Sequence, residues 1–208
     1  KGSTIEAARD VTLRAYNTGD ARANIEKGLN IAAGILTVSV LPTNAWYDTG
    51  VDVLEGAVVR STTGSVSVLS EDAPKGHSEA RGTTIGIGVN ASVTYGENTA
   101  DTANTITVNG TLDASEALNV EAVSAAQLNA ATYADGGGFF SGTTLWSKNT
   151  LNRAVSILIG ENSALLANYG DLIVNAVGGS RDSILTRSEV SSGGVVALGT
   201  ATALVNID

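Results

Sequence analysis

Gly170-Asp171-Leu172-Ile173-Val174-Asn175-Ala176 carries a polar turn into a short apolar strand, and the same arrangement recurs along the chain. Its counterparts are Asp10-Val11-Thr12-Leu13-Arg14-Ala15, Ser65-Val66-Ser67-Val68-Leu69-Ser70 and Ala117-Leu118-Asn119-Val120-Glu121-Ala122. Their first apolar residues fall at 11, 66, 118 and 172. A glycine that opens a longer apolar strand recurs independently at Gly34, Gly86, Gly138 and Gly194. A third marker precedes each new copy of the first: Val51-Asp52-Val53, Thr105 to Val108 and Ser156 to Ile159, with Val205-Asn206-Ile207 read as the start of a fourth. Three markers holding one order define an internal repeat of about 54 residues.

Each marker alternates with the period of a strand, so Leu13, Val68, Val120 and Val174 point the same way and form one internal aliphatic ladder if the repeats stack in register. This predicts an all-β chain, a single parallel β-solenoid over 1–208 with approximate repeats 10–64, 65–116, 117–170 and an incomplete 171–208. A unit of about 54 residues exceeds a typical solenoid turn, which predicts two or three coils of roughly 18–27 residues per repeat. Around ten coils at ~4.8 Å each give a rod of about 50 Å. Such stacking pairs every strand with the coils above and below, leaving open edges only at the two ends.

Composition narrows the function. The 208 residues are only 16% charged and 4% aromatic, and Gly, Ala, Ser, Thr and Asn fill the turns. The formal net charge is −9 and the basic residues are scattered. A nucleic-acid groove, which needs a basic stripe, is therefore disfavoured, as is electrostatic attachment to an anionic membrane. The chain has no cysteine, which removes disulfides, thiolate metal sites and a Cys nucleophile. No segment approaches the ~18 consecutive apolar residues that read as a spanning helix, so no membrane insertion is expected.

The stretches Gly170 to Ala176, Ala8 to Ala15 and Thr105 to Ser115 resemble the repeats of large filamentous adhesins, the haemagglutinin-like and leukotoxin-like exoproteins of bacteria. The segment from Ala134 through Gly136-Gly137-Gly138 to Ala176 looks closest to the leukotoxin-like group. The resemblance implies a right-handed parallel β-helix, secreted to the bacterial cell surface and used for attachment. It also implies no catalytic residues. The partner would be a protein or glycan receptor on a host or bacterial cell, or neighbouring copies of the chain in a filament or sheath.

His77, the sole histidine, lies in a polar, turn-like segment from Asp72 to Glu79, and no Gly-x-Ser-x-Gly elbow accompanies it. Asp48, Asp52, Asp101 and Asp113 are the acids a polysaccharide-active β-helix could use, but the few aromatics are not gathered into a sugar-binding cleft around them. Tandem Gly-Gly-x-Gly-x-Asp calcium repeats are missing, and Asp135-Gly136-Gly137-Gly138 reads as a corner with glycines at positive φ. No cofactor, metal or enzymatic activity is expected. The candidate interaction residues are Trp46, Tyr47, Phe139, Phe140 and Trp146, with Trp46, beside Pro42, the best exposed. Tyr95 and Trp146 sit at equal distances before Ile106 and Ile157, which predicts that they share one column.

Overall fold

A computed structural model describes residues 2–31 and 34–208, with side chains described outside 26–31 and 35. The fold is all-β and the strands pair in parallel, with no helix among the described residues. Three sheets run up the molecule. The first holds the short strands β1 (Thr4–Ala7), β5 (Val58–Ser61), β9 (Thr111–Ala114) and β12 (Ala164–Ala167). The second stacks β2 (Val11–Asn17), β6 (Val66–Asp72), β10 (Leu118–Ser124) and β13 (Leu172–Gly178). The third joins β3 (Asp20–Ile31), β4 (Ile35–Val53), β7 (Lys75–Ile85), β8 (Val89–Val108), β11 (Gln127–Ile159) and β14 (Ser183–Ile207).

Residues one full repeat apart are direct partners: Val11 pairs with Val66, Val66 with Leu118, and Leu118 with Leu172. Each repeat is therefore a single large coil, and the chain makes four. This corrects the expectation of two or three coils per repeat. Four coils at ~4.8 Å stack to roughly 15–20 Å, well short of a 50 Å rod. The unit is long because its third side is a pair of extended arms rather than one short strand.

Each coil has two parts. In the body, the first two sheets and the end of the third enclose an aliphatic core of Val53, Val59, Val66, Val68, Ile106, Val108, Leu112, Leu118 and Val120. The Leu13, Val68, Val120 and Val174 ladder is present in register. β-Branched residues suit this pleated, half-buried surface.

Beyond the body the chain runs out along one arm (β3, β7 and the first part of β11), turns at a glycine tip, and runs back along another (β4, β8 and the later part of β11). The arms face each other, as the Thr132 Oγ1 to Ser147 Oγ hydrogen bond of 2.8 Å within β11 and the Asn98 Nδ2 to Asn129 O bond of 2.7 Å demonstrate. Their common interior is mostly small and polar: Ser78, Thr84, Asn90, Ser92, Thr94, Asn98, Thr132, Ser147 and Asn149 are all buried. Where a larger residue intrudes, its neighbour is small. Leu128 stacks beside Gly76, where a Cβ would stand 3.0 Å from the leucine methyl.

Buried polar groups cost stability unless they are paired; an amide ladder pairs part of this interior, while the Thr49, Thr102 and Ser141 hydroxyls have no hydrogen-bond partner. Thr43 donates to Asn98 Oδ1, Asn98 Nδ2 also donates to Asn149 Oδ1 at 2.9 Å, and Asn149 Nδ2 donates to Leu185 O at 2.8 Å and Thr186 Oγ1 at 2.9 Å. One polar column therefore runs through the arms across all four coils.

At the junction of body and arms, Tyr47 turns inward into the space left by Gly19, where any Cβ would strike its ring. In the third coil Arg153 closes the junction and donates to both oxygens of Asp182 at 2.7 and 2.8 Å. The tips depart from the sequence reading. Positive φ occurs at Gly34 (74°) and Gly88 (116°), not at Gly136, Gly137 or Gly138, which lie within β11. Gly138 is needed for space, since a Cβ there would meet the Asn90 amide and stand 2.8 Å from Gly86 O. Val205-Asn206-Ile207 stacks on Asn149-Thr150-Leu151, whereas Ile157 pairs with Ile106, so it is not the fourth copy of the third marker.

Candidate interaction face

The returning arm presents an outward face built from alternate residues of four strands. Its successive columns, read across the coils, include Val89, Phe140 and Val196; Leu36, Ala91, Gly142 and Leu198; Val38, Val93, Thr144 and Thr200; and Val40, Tyr95, Trp146 and Thr202. Toward the body follow Pro42, Glu97, Lys148 and Leu204; then Asn44, Thr99, Thr150 and Asn206; then Trp46, Asp101, Asn152 and Asp208. Leu36, Val38, Val40, Val89, Phe140, Trp146 and Leu198 are all exposed. Tyr95 and Trp146 share a column and meet edge to face at 6.2 Å, as their spacing predicts.

Three of the five aromatic candidates, Trp46, Phe140 and Trp146, thus lie on one face. Phe139 is exposed at the tip, edge to face with Phe140 at 5.4 Å. Tyr47 is the correction: it is only 8% exposed, because strand alternation turns it inward beside the outward Trp46. Trp46, 76% exposed, flanks a shallow groove of about 530 Å³ that also includes Asp48, Asp101, Asn152 and Arg153. Between the Leu36 and Asn44 columns the only charged residues are Glu97 and Lys148, and they pair with each other at 3.0 Å.

Glu97 also accepts a 2.7 Å hydrogen bond from Tyr95. Burial opposes ionisation of Glu97, but the Tyr95 hydroxyl and the Lys148 ammonium outweigh it and hold the carboxyl below its usual range. Burial, reinforced by the bond to Glu97, pushes the Tyr95 phenol up to about 12.

The outgoing arm's outer face has the opposite character. Asp20, Arg22, Lys75, His77, Glu79, Arg81, Arg187 and Glu189 project from it, and Arg81 lies 4.7 Å above the ring of Tyr133. His77 faces Glu79 at 3.4 Å, while neighbouring Ser78 points inward and donates to Leu41 O. Of the four acids, Asp113 is held by Arg60 at 2.8 Å in the short-strand sheet, and Asp101 accepts from Asn152. Asp48 lines the same groove as Asp101, while Asp52 is exposed farther along β4 and Asp113 lies in another sheet, so the structure brings two of the four acids together and not the other two.

The segregation of the two faces was hidden in the sequence, where both arms read as alternating strands of mixed polarity. The signal is a comparison of outward residues column by column, and that needs the register. No helix of the described residues is long and apolar enough to cross a membrane. The chain matches no family model, no curated protein and no solved structure.

Proposed function

We propose that the chain is a rod segment of a secreted bacterial surface adhesin, wound as a right-handed parallel β-helix, that mediates or spaces cell attachment. The observation that carries this reading is the pairing of successive repeats residue for residue, which makes the coil an extensible structural unit. Right-handedness is the sense favoured for parallel crossover connections. The returning-arm face, with Trp46, Phe140 and Trp146, is the interaction surface in this reading; aromatic residues are enriched in such surfaces.

The test is attachment of beads coated with the purified chain to bacterial or epithelial cells. Attachment above that of uncoated beads is the expected result, and binding no greater than the uncoated level refutes the adhesive half of the proposal. A second reading, a self-associating filament or sheath subunit, is favoured by the exposed apolar residues of the returning-arm face, Leu36, Val38 and Leu198 among them. Electron microscopy separates the two. Fibres that lengthen with concentration favour the filament, and short discrete particles favour the rod segment.

A further inference from the structure

We infer that the outward face of the returning arm is a dimer interface that docks a second copy of this chain face to face. The inference rests on reading that face as an interaction surface and names its partner; it does not require the rod to be adhesive.

Area is the first argument. About seven outward columns at ~6.8 Å spacing and four coils at ~4.8 Å make a patch on the order of 800 Å² per copy. Pairing two copies buries about 1,600 Å², the size of an ordinary specific protein–protein interface. The four columns nearest the tip carry most of the patch's apolar residues, and the three toward the body are largely polar.

The arrangement within the patch is the second. Its centre, the fourth of seven columns at the second and third coils, is the Tyr95 and Trp146 edge-to-face pair. Energetic hot spots in interfaces are enriched in Trp and Tyr and cluster near the centre. Around it lie Leu36, Val38, Val40, Val93, Phe140 and Leu198, and the body-side border turns polar at Asn44, Thr99, Asp101 and Asn152. An apolar centre with a polar border is the anatomy of an interface.

Charge is the third. The ionic groups nearest the centre, Glu97 and Lys148, neutralise each other within one chain, and the carboxylates of Asp101 and Asp208 lie only in the outermost body-side column, so the middle of two identical faces can meet without like-charge repulsion. The outgoing face, crowded with Asp20, Arg22, Lys75, Glu79, Arg81 and Arg187, remains in water. A two-fold axis through the aromatic pair makes the contact isologous and closed at two copies. Sheets packed face to face with their strands roughly aligned satisfy it geometrically.

The test is sedimentation equilibrium of the intact chain over a wide concentration range, with Trp emission recorded alongside. The expected species has twice the 21.0 kDa chain mass, and Trp emission shifts to the blue as it forms. Val93→Glu/Trp146→Glu places like charges at the centre of both faces and should weaken the dimer by at least ~30-fold. Circular dichroism verifies that the strands persist. Trp146→Ala, the milder change, should weaken the dimer in the same direction, and Gln127→Glu/Leu185→Glu on the outgoing face should leave it intact.

A monomer at every concentration overturns the inference, as does a dimer equally sensitive to the outgoing-face control. Open-ended growth that survives the Val93/Trp146 variant also overturns it, because that result assigns self-association to the coil edges. Failure of bead attachment alongside a normal dimer removes the adhesive reading and leaves this one standing.

Discussion

Leu118 and Leu172 are register partners one coil apart, facing the same body core, yet Leu118 is fully buried and Leu172 is 50% exposed. The same truncation at the two sites therefore tests the coil assignment directly. Leu118→Ala removes a side chain packed among the aliphatic residues of the body and leaves a cavity, which costs about 3 kcal/mol within the 2–5 kcal/mol range of such changes. At Leu172 about half the transfer energy is already forfeited to water and no closed cavity forms, so the cost is about 1 kcal/mol. The difference, about 2 kcal/mol, exceeds the uncertainty of urea unfolding analysed by linear extrapolation. Fluorescence and circular dichroism should be followed together, because a stacked array can lose its end coil before the rest. Equal losses at the two positions would refute the difference in burial between Leu118 and Leu172, and a larger loss at Leu172 would refute it more strongly.

Two further predictions concern polar groups. Asn98→Ala takes the Asn98 amide donor away from Asn149 Oδ1 and the Asn129 carbonyl, while the Thr43 hydroxyl keeps the Glu97 carbonyl, and should cost about 2–4 kcal/mol in the same unfolding assay. Asn44→Ala, on an exposed side chain of the neighbouring strand, should be nearly silent. If the two are indistinguishable, the amide ladder contributes nothing. The Tyr95 phenol, raised to about 12 by burial and then by Glu97, stabilises the fold fully below its ordinary value of 10 and loses that contribution as pH rises through about 12. Ultraviolet titration should therefore find a tyrosine ionising near pH 12 that disappears in Tyr95→Phe. A titration unchanged by that substitution contradicts the Tyr95 environment.

Much of the body was legible in the sequence. Its core residues are aliphatic, alternate with polar ones, and recur at a fixed spacing, so Leu13, Val68, Val120 and Val174 could be placed in one ladder from the letters alone. The arms were not legible. Their interior is Ser, Thr, Asn and Gly, the same residues that cover exposed strands, so hydropathy cannot distinguish their inner side from their outer side. The arms also carry each coil well past the length of a typical solenoid turn, the length from which two or three coils per repeat are expected. Tyr47 shows the limit at a single position, since its inward turn depends on the space beside Gly19, distant in sequence. The Tyr95 and Trp146 column was within reach because it depended only on the repeat spacing.

One coil per repeat also has a mechanical consequence. The backbone hydrogen bonds between coils run along the stacking axis, so tension along it loads one interface after another rather than shearing many together. A coil that peels away at the end surrenders its ~4.8 Å of height and releases about 54 residues of chain, roughly 180 Å when drawn straight. The stack thus stores nearly forty times its own height as slack, available one rung at a time. A pulling force would meet a sequence of small yields in place of a single rupture.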